Sequence, residues 1–403
     1  MTKFQPQWLV ILAGVCAALH VGKLPAALPV LRDALGVSLL QAGFLLSLVQ
    51  LAGMTLGLAV GLLADGAGLR RTMLAGLWLL AGASAVGVWA SQPSHLLVLR
   101  AIEGVGFLLV TMPGPGLIRR MVVSARLSAA LGMWSTFMPL GTALALLFGP
   151  MAIALSGWQG LWGSLAAITV AMALSLALFV PIDAKPGPGT GVAAGWAARL
   201  RRTLNSPGPW LVALCFAVYS AQWMSVIGFL PSIYSQAGLH AGWTALATAG
   251  AAAVNIVGNV ASGRLLQRGT RPDRLLLCGF VAMALGAWLA FGPFAAELAP
   301  AAAAAVRYGA VLAFSMLGGM IPGTLFSVAV RLAPDEHTVS TTVGWMQQWS
   351  CIGQFAGPPV VAWVAYQAGG WHWTWLVTGG CSLLGIALAL GSRDRLRAAM
   401  SAP

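Results

Sequence analysis

The chain has 403 residues, of which 59% are apolar and only 8% charged, against roughly 25% charged in ordinary soluble domains. That is too little charge to cover a soluble fold of this length, so the composition excludes a soluble enzyme and indicates a bilayer protein. The net charge of +13 would suit a nucleic-acid binder. However, Lys and Arg fall in short gaps between apolar runs instead of clustering on one folded face, which excludes that partner.

In chain order, Lys3 precedes an apolar run from Trp8 to about Leu31. This is longer than the ~7–15 residues of a signal core, and Val15 before Cys16 does not fit a lipoprotein cleavage site, so the run reads as a first transmembrane helix. Runs long enough to cross ~30 Å of hydrocarbon recur at 8–31, 39–63, 72–91, 96–118, 127–154, 158–181, 208–235, 242–266, 273–294, 302–330, 338–366 and 371–391. The gap 182–207 is rich in Pro and Gly and basic near its end. The expected organisation is an N-terminal six-helix bundle over 1–181, a cytoplasmic linker over 182–207 with a short amphipathic helix near Trp196 to Leu204, and a C-terminal six-helix bundle with a short tail over 208–403. The five cysteines are scattered singly, with no metal or disulfide spacing.

Basic residues set the expected orientation. With both termini in the cytoplasm, the inner gaps hold Lys3, Arg70, Arg71, Arg119, Arg120, Arg126, the linker residues Lys185, Arg199, Arg201 and Arg202, then Arg264, Arg268, Arg271, Arg274, Arg331, Arg393, Arg395 and Arg397; the outer gaps hold only Arg32. The halves also match each other. Leu28-Pro29 pairs with Leu230-Pro231, Gly61 to Asp65 with Gly263 to Gln267, Met112-Pro113-Gly114 with Ile321-Pro322-Gly323, and Gly157-Trp158 to Trp162 with Gly370-Trp371 to Trp375. Their consistent order argues for duplication, a common plan among transporters.

Between the second and third runs the chain reads Gly61-Leu-Leu-Ala-Asp65-Gly-Ala-Gly68-Leu-Arg70-Arg71. This resembles the Gly-x-x-x-Asp-(Arg/Lys)-x-Gly-(Arg/Lys)-(Arg/Lys) signature of the major facilitator superfamily. Gly66 and Leu69 depart from its basic positions, and Gln267 replaces the acid in the second copy. The alternative is a loop whose charges only set topology. Arg100-Ala-Ile-Glu103-Gly-Val-Gly106 is similar to the family's Arg-x-x-x-Gly-x-Gly motif. The antiporter motif is poorly kept around Gly149-Pro150. Lys23-Leu-Pro25-Ala-Ala-Leu-Pro29 is similar to the first helix of cyanate-permease-like anion transporters, with lysine replacing the more usual arginine.

The resemblance implies an all-α membrane protein of twelve transmembrane helices in two pseudo-symmetric bundles, the major facilitator fold. It also implies a conformational latch at Gly61, Asp65, Gly68, Arg70 and Arg71, and a central cavity lined by the first, fourth, seventh and tenth spans.

Glu103 is the one acid within an apolar span, and Lys23, Arg100 and Arg307 are stranded with it; such groups usually face a cavity or a partner. At 1.5 Å of rise per residue, Lys23 and Glu103 both lie about 11 Å below the outer surface. Lys23 and Arg307 are therefore expected to bind an anion from opposite halves, Arg suiting carboxylates and oxyanions, with Glu103 and Arg100 coupling proton movement. Equally, Glu103 can form a fixed salt bridge with Arg100 or Lys23, and Arg100 and Arg307 can snorkel outward.

His20, Tyr219, Gln222 and Trp223 are expected to orient the solute, with Trp134, Trp345 and Gln348 behind them, while Asn255 and Asn259 read as helix contacts. The expected function is a monomeric secondary transporter of the cytoplasmic membrane for a small anionic solute, with proton symport and no cofactor. The alternative is a proton-coupled efflux transporter for drugs or metabolites. No nucleotide-binding loop or nucleophile–base pair appears that would indicate an ATP-driven pump or an enzyme.

Overall fold

The computed structural model describes residues 6–37, 39–182, 195–294 and 298–401. Within the helices it leaves out the side chains at 29, 32, 39, 40, 42, 43, 61–67, 124, 196, 337, 340 and 398–401. Every regular element among the described residues is helical, as a bilayer requires of a chain that must satisfy its backbone internally.

The N-terminal half contains α1 (Gln7–Leu35), α2 (Leu39–Ala67), α3 (Leu69–Gly87), α4 (Pro93–Thr111), α5 (Gly114–Met121), α6 (Ser124–Trp134) and α7 (Phe137–Phe179). After α8 (Trp196–Asn205) come α9 (Pro207–Gln236), α10 (Ala241–Ala253), α11 (Asn255–Gln267), α12 (Pro272–Phe291), α13 (Pro300–Gly318), α14 (Met320–Leu332), α15 (Val339–Gln367), α16 (Thr374–Gly391) and α17 (Arg393–Ser401).

Eight segments are long and apolar enough to span by themselves, one of them, Ala125–Phe179, being 55 residues long and holding two passes. The reversal within it falls at Gly157, whose φ of 70° lies in the left-handed region that a side chain would disfavour. Helices α2, α3 and α15 complete the twelve. Of these, α3 is less apolar because it opens on Arg70 and Arg71, and α15 because it carries Gln347, Gln348 and Gln354.

Four passes are broken in mid-membrane, where α4 gives way to α5, α6 to α7, α10 to α11 and α13 to α14. Discontinuous helices of this kind commonly surround a transporter's binding site. Inside each half the long helices pack closely, α1 on α7 and α9 on α15. Across the halves α2 meets α15, α6 meets α11 and α7 meets α10.

The α6–α11 contact lies on the side of the protein that carries the termini, and it has backbone closeness. A Cβ on Gly263 would stand 2.8 Å from the Ser128 carbonyl oxygen and 3.2 Å from Gly132 Cα. Gln267, which takes the acid's place in the second signature copy, donates to the Ala125 carbonyl at 2.9 Å and so ties α11 to α6. In the first copy the side chains of Gly61 and Asp65 lie outside the described residues. Gly68 has the left-handed φ of 96° that the turn needs, Arg70 donates to the Ala177 carbonyl, and Arg71 is exposed.

Candidate functional site

The ionisable residues singled out in the sequence form a cluster inside the N-terminal bundle, between α1, α3, α4 and the second arm of α7. Lys23, Arg100 and Glu103 are at most 2% exposed. Glu103 places one carboxylate oxygen on the Lys23 ammonium and the other 2.9 Å from the Arg100 guanidinium. Lys23 Nζ also donates to Ser84 Oγ at 3.1 Å and sits 4.4 Å from the centre of the Trp162 ring, within cation–π range.

Arg100 spends its remaining donors on backbone carbonyls: Leu45 at 3.0 Å, His20 at 2.5 Å and Val21 at 3.4 Å. The Thr169 hydroxyl proton goes to the Leu165 carbonyl at 2.6 Å, so Thr169 Oγ1 accepts from His20 Nε2–H at 2.8 Å. The free lone pair of His20 Nδ1 then accepts from Lys23 at 3.4 Å. This pattern assigns the neutral Nε2–H tautomer. The cluster holds two cations and one carboxylate, a surplus of one positive charge buried within the N-terminal bundle.

The second half carries a neutral counterpart. Gln222, which the pairing of Pro29 with Pro231 aligns with His20, accepts from Ser382 Oγ at 2.9 Å, and the pairing of Gly157 with Gly370 takes Thr169 to Ser382. The internal symmetry therefore preserves one polar contact between corresponding helices and omits the charges.

The space between the bundles is different in character. A cavity of about 660 Å³ is lined by Phe107, Phe137, Phe216, Tyr219, Trp223 and Phe326, together with Thr111, Ser135, Ser220, Asn255, Gln347, Ser350 and Gln354. All four broken passes contribute to it. Pairing of the rings (Phe216 stacks on Tyr219 at 6.1 Å) and a hydrogen-bonded polar set give it defined walls. Asn255 Nδ2 donates to the Tyr219 hydroxyl at 3.1 Å and to the Ser315 carbonyl at 2.6 Å, while Trp223 Nε1 donates to Ser315 Oγ at 3.2 Å. A second chain crosses the halves, from Gln50 to Gln354 at 3.0 Å and from Gln354 to Ser350 at 3.1 Å, with Ser350 2.7 Å from Ser220. Among the described residues, no charged side chain lines it.

These placements correct several expectations. Lys23 turns into its own bundle, because Glu103 and Trp162 are there. Arg307 is exposed on α13 and absent from the described cavities, so no pair of cations faces a solute across the halves. Trp134 is fully buried against Phe137, 4.9 Å away, and is a packing residue. Trp345 joins an aromatic trio with Trp210 and Trp349 at 4.8 and 5.8 Å, away from the cavity. Gln348 accepts from the Leu58 backbone N–H at 2.9 Å and so joins α2 to α15.

Tyr219 and Trp223 do line the cavity, and Asn255, read as a helix contact, does so as well. The phenylalanine rings were missed because apolar residues in apolar spans carry no signal of their own. Their position next to the helix breaks was the available one.

Two pseudo-symmetric bundles of six passes around a cavity built at broken helices define a membrane transporter. The family model of the Major Facilitator Superfamily matches residues 10–358, and the chain belongs to that superfamily, whose members are not enzymes. It is 27% identical over 389 residues to the 2-nitroimidazole transporter of Escherichia coli (strain K12), covering 90% of each chain. The fucose:proton symporter of E. coli shares the fold at a TM-score of 0.74 and 18% identity, over 97% of this chain and 99% of that one. A proton:xylose symporter bound to 6-bromo-6-deoxy-D-glucose does so at 0.76 and 14%, over 98% and 95%.

Proposed function

We propose that this secondary transporter moves a small, neutral, planar solute with hydrogen-bonding groups through the cavity between its bundles, by rocking of the halves 1–181 and 208–403. The observation that carries the reading is the lining itself, with six aromatic rings, amides and hydroxyls and, among the described residues, no charged side chain. Rings supply stacking area, and a few convergent polar groups supply orientation, the usual composition of small-molecule sites. A nitroimidazole-like heterocycle, the cargo named for the E. coli relative, suits such walls. The anion expected from the sequence is less well supported. Both buried cations are held by Glu103, and Arg307 is exposed.

The buried cluster is the candidate for proton coupling, since it gathers four ionisable side chains at membrane depth. Its surplus positive charge favours one second reading, a small anion drawn toward the N-terminal bundle. The distribution of basic residues supports placement in the cytoplasmic membrane with both termini inside. The reading is tested in proteoliposomes by uptake of 2-nitroimidazole and of small carboxylates, with and without a proton gradient. Transport of the neutral heterocycle, dependent on Trp223 and Asn255, is the expected result. Transport of carboxylates alone overturns the neutral-solute reading in favour of the anion.

A further inference from the structure

A proline within a helix withholds the N–H that would bond the carbonyl four residues earlier. Pro25 on α1, Pro150 on α7, Pro231 on α9 and Pro358 on α15 therefore release the carbonyls of Val21, Leu146, Ile227 and Gln354. All four of those residues line one further cavity between the bundles, about 570 Å³ of space that is partly open to solvent. It adjoins the central cavity at Gln354, which lines both. In α7, α9 and α15, the helices that line both cavities, its residues lie farther along the chain's run away from the terminus side than those of the central cavity, so it stands on the far-side approach.

The fate of one released carbonyl shows what such a group does when a donor is within reach. The Val21 carbonyl accepts from the Arg100 guanidinium at 3.4 Å. Among the described residues no side chain donates to the carbonyls of Leu146, Ile227 or Gln354. The same cavity holds the Thr142 hydroxyl, which is only 7% exposed and has no hydrogen-bond partner, and it also holds Ser47. Among the described residues no Lys, Arg or His contributes a competing donor. Three helices thus have a proline-released carbonyl at a residue that lines one space, beside the Thr142 and Ser47 hydroxyls, and a buried acceptor left unmatched is costly.

We propose that this cavity is an access subsite that selects solutes by their N–H donors, holding a neutral heterocycle with a ring N–H before it passes Gln354 into the central cavity. The inference rests on the neutral-solute reading above and adds to it a chemical requirement that the central cavity does not impose. A solute with a ring N–H meets a released carbonyl, whereas its N-methylated analogue meets the same acceptor with a methyl group.

The test compares transport of 2-nitroimidazole with that of its N1-methyl derivative in proteoliposomes. One matched hydrogen bond predicts a preference of about three- to tenfold in KM for the N–H compound. Pro231→Ala restores an N–H for the Ile227 carbonyl, and Pro150→Ala does so for Leu146. Either variant is expected to bring the preference toward parity. Pro359→Ala is the control: it removes the neighbouring proline of α15, whose partner carbonyl belongs to Phe355, a residue that does not line the cavity, and is expected to keep the preference.

Equal transport of the two compounds by the unaltered protein overturns the inference and leaves the neutral-solute reading standing. A preference that survives both Pro231→Ala and Pro150→Ala, or that is lost in Pro359→Ala, also overturns it. Transport of neither compound removes the underlying reading and this inference with it.

Discussion

Glu103→Gln removes the single negative charge that holds Lys23 and Arg100 together, and its consequence can be worked from the geometry. Both cations are at most 2% exposed, and each has a carboxylate oxygen as partner. Removing one partner of a buried ion pair costs about 3–5 kcal/mol. At ~2 °C per kcal/mol, the lower end of the range for longer chains, the melting temperature falls by about 6–10 °C.

Lys23→Met is the informative companion. It leaves the Arg100–Glu103 pair at 2.9 Å intact and removes the surplus positive charge, at the expense of the donor to His20 Nδ1 and Ser84 Oγ and of one of the two cations on Glu103. Because Glu103 keeps Arg100 as its counter-ion, whereas Glu103→Gln strands two cations, the loss is expected to be the smaller of the two, about 2–3 kcal/mol, or about 4–6 °C. Thermal unfolding in detergent, followed by tryptophan fluorescence, ranks the two variants. If Lys23→Met lowers the melting temperature as much as Glu103→Gln does, the cluster carries no surplus positive charge and the reasoning fails.

Trp134→Ala is expected to cost about 3–5 kcal/mol while leaving solute affinity in the surviving protein within about twofold. Trp223→Leu is expected to do the reverse, and paired melting and binding measurements separate the two. Gly353→Val should abolish stable folding, because any Cβ there overlaps the Ala217 carbonyl of α9. Gly379→Val, with nothing within 4 Å of its Cβ, should melt like the unaltered protein. Arg307→Gln should leave solute KM unchanged in transport assays, since the residue is exposed and lines no described cavity.

The sequence made the twelve passes legible because each must be long and apolar, and it made the duplication legible through recurring Gly, Pro and Trp. It even aligned His20 with Gln222, which the structure shows in equivalent contacts to Thr169 and Ser382. What failed was azimuth. Counting 1.5 Å per residue places Lys23 along α1 but not on the face of α1 it occupies, and that face is set by Ser84 and Trp162 on helices far along the chain. The cavity rings Phe107, Phe137, Phe216 and Phe326 share their composition with lipid-facing residues such as Phe44 and Phe148. Only the helix breaks distinguish their neighbourhood.

The most direct test of the account is competition for uptake in proteoliposomes between labelled 2-nitroimidazole, neutral planar heterocycles and small carboxylates. The account predicts that neutral heterocycles compete, that carboxylates do not, and that Asn255→Asp, which puts a negative charge on the cavity wall, sharply weakens uptake. Competition by carboxylates alone, or uptake unchanged by Asn255→Asp, would contradict it.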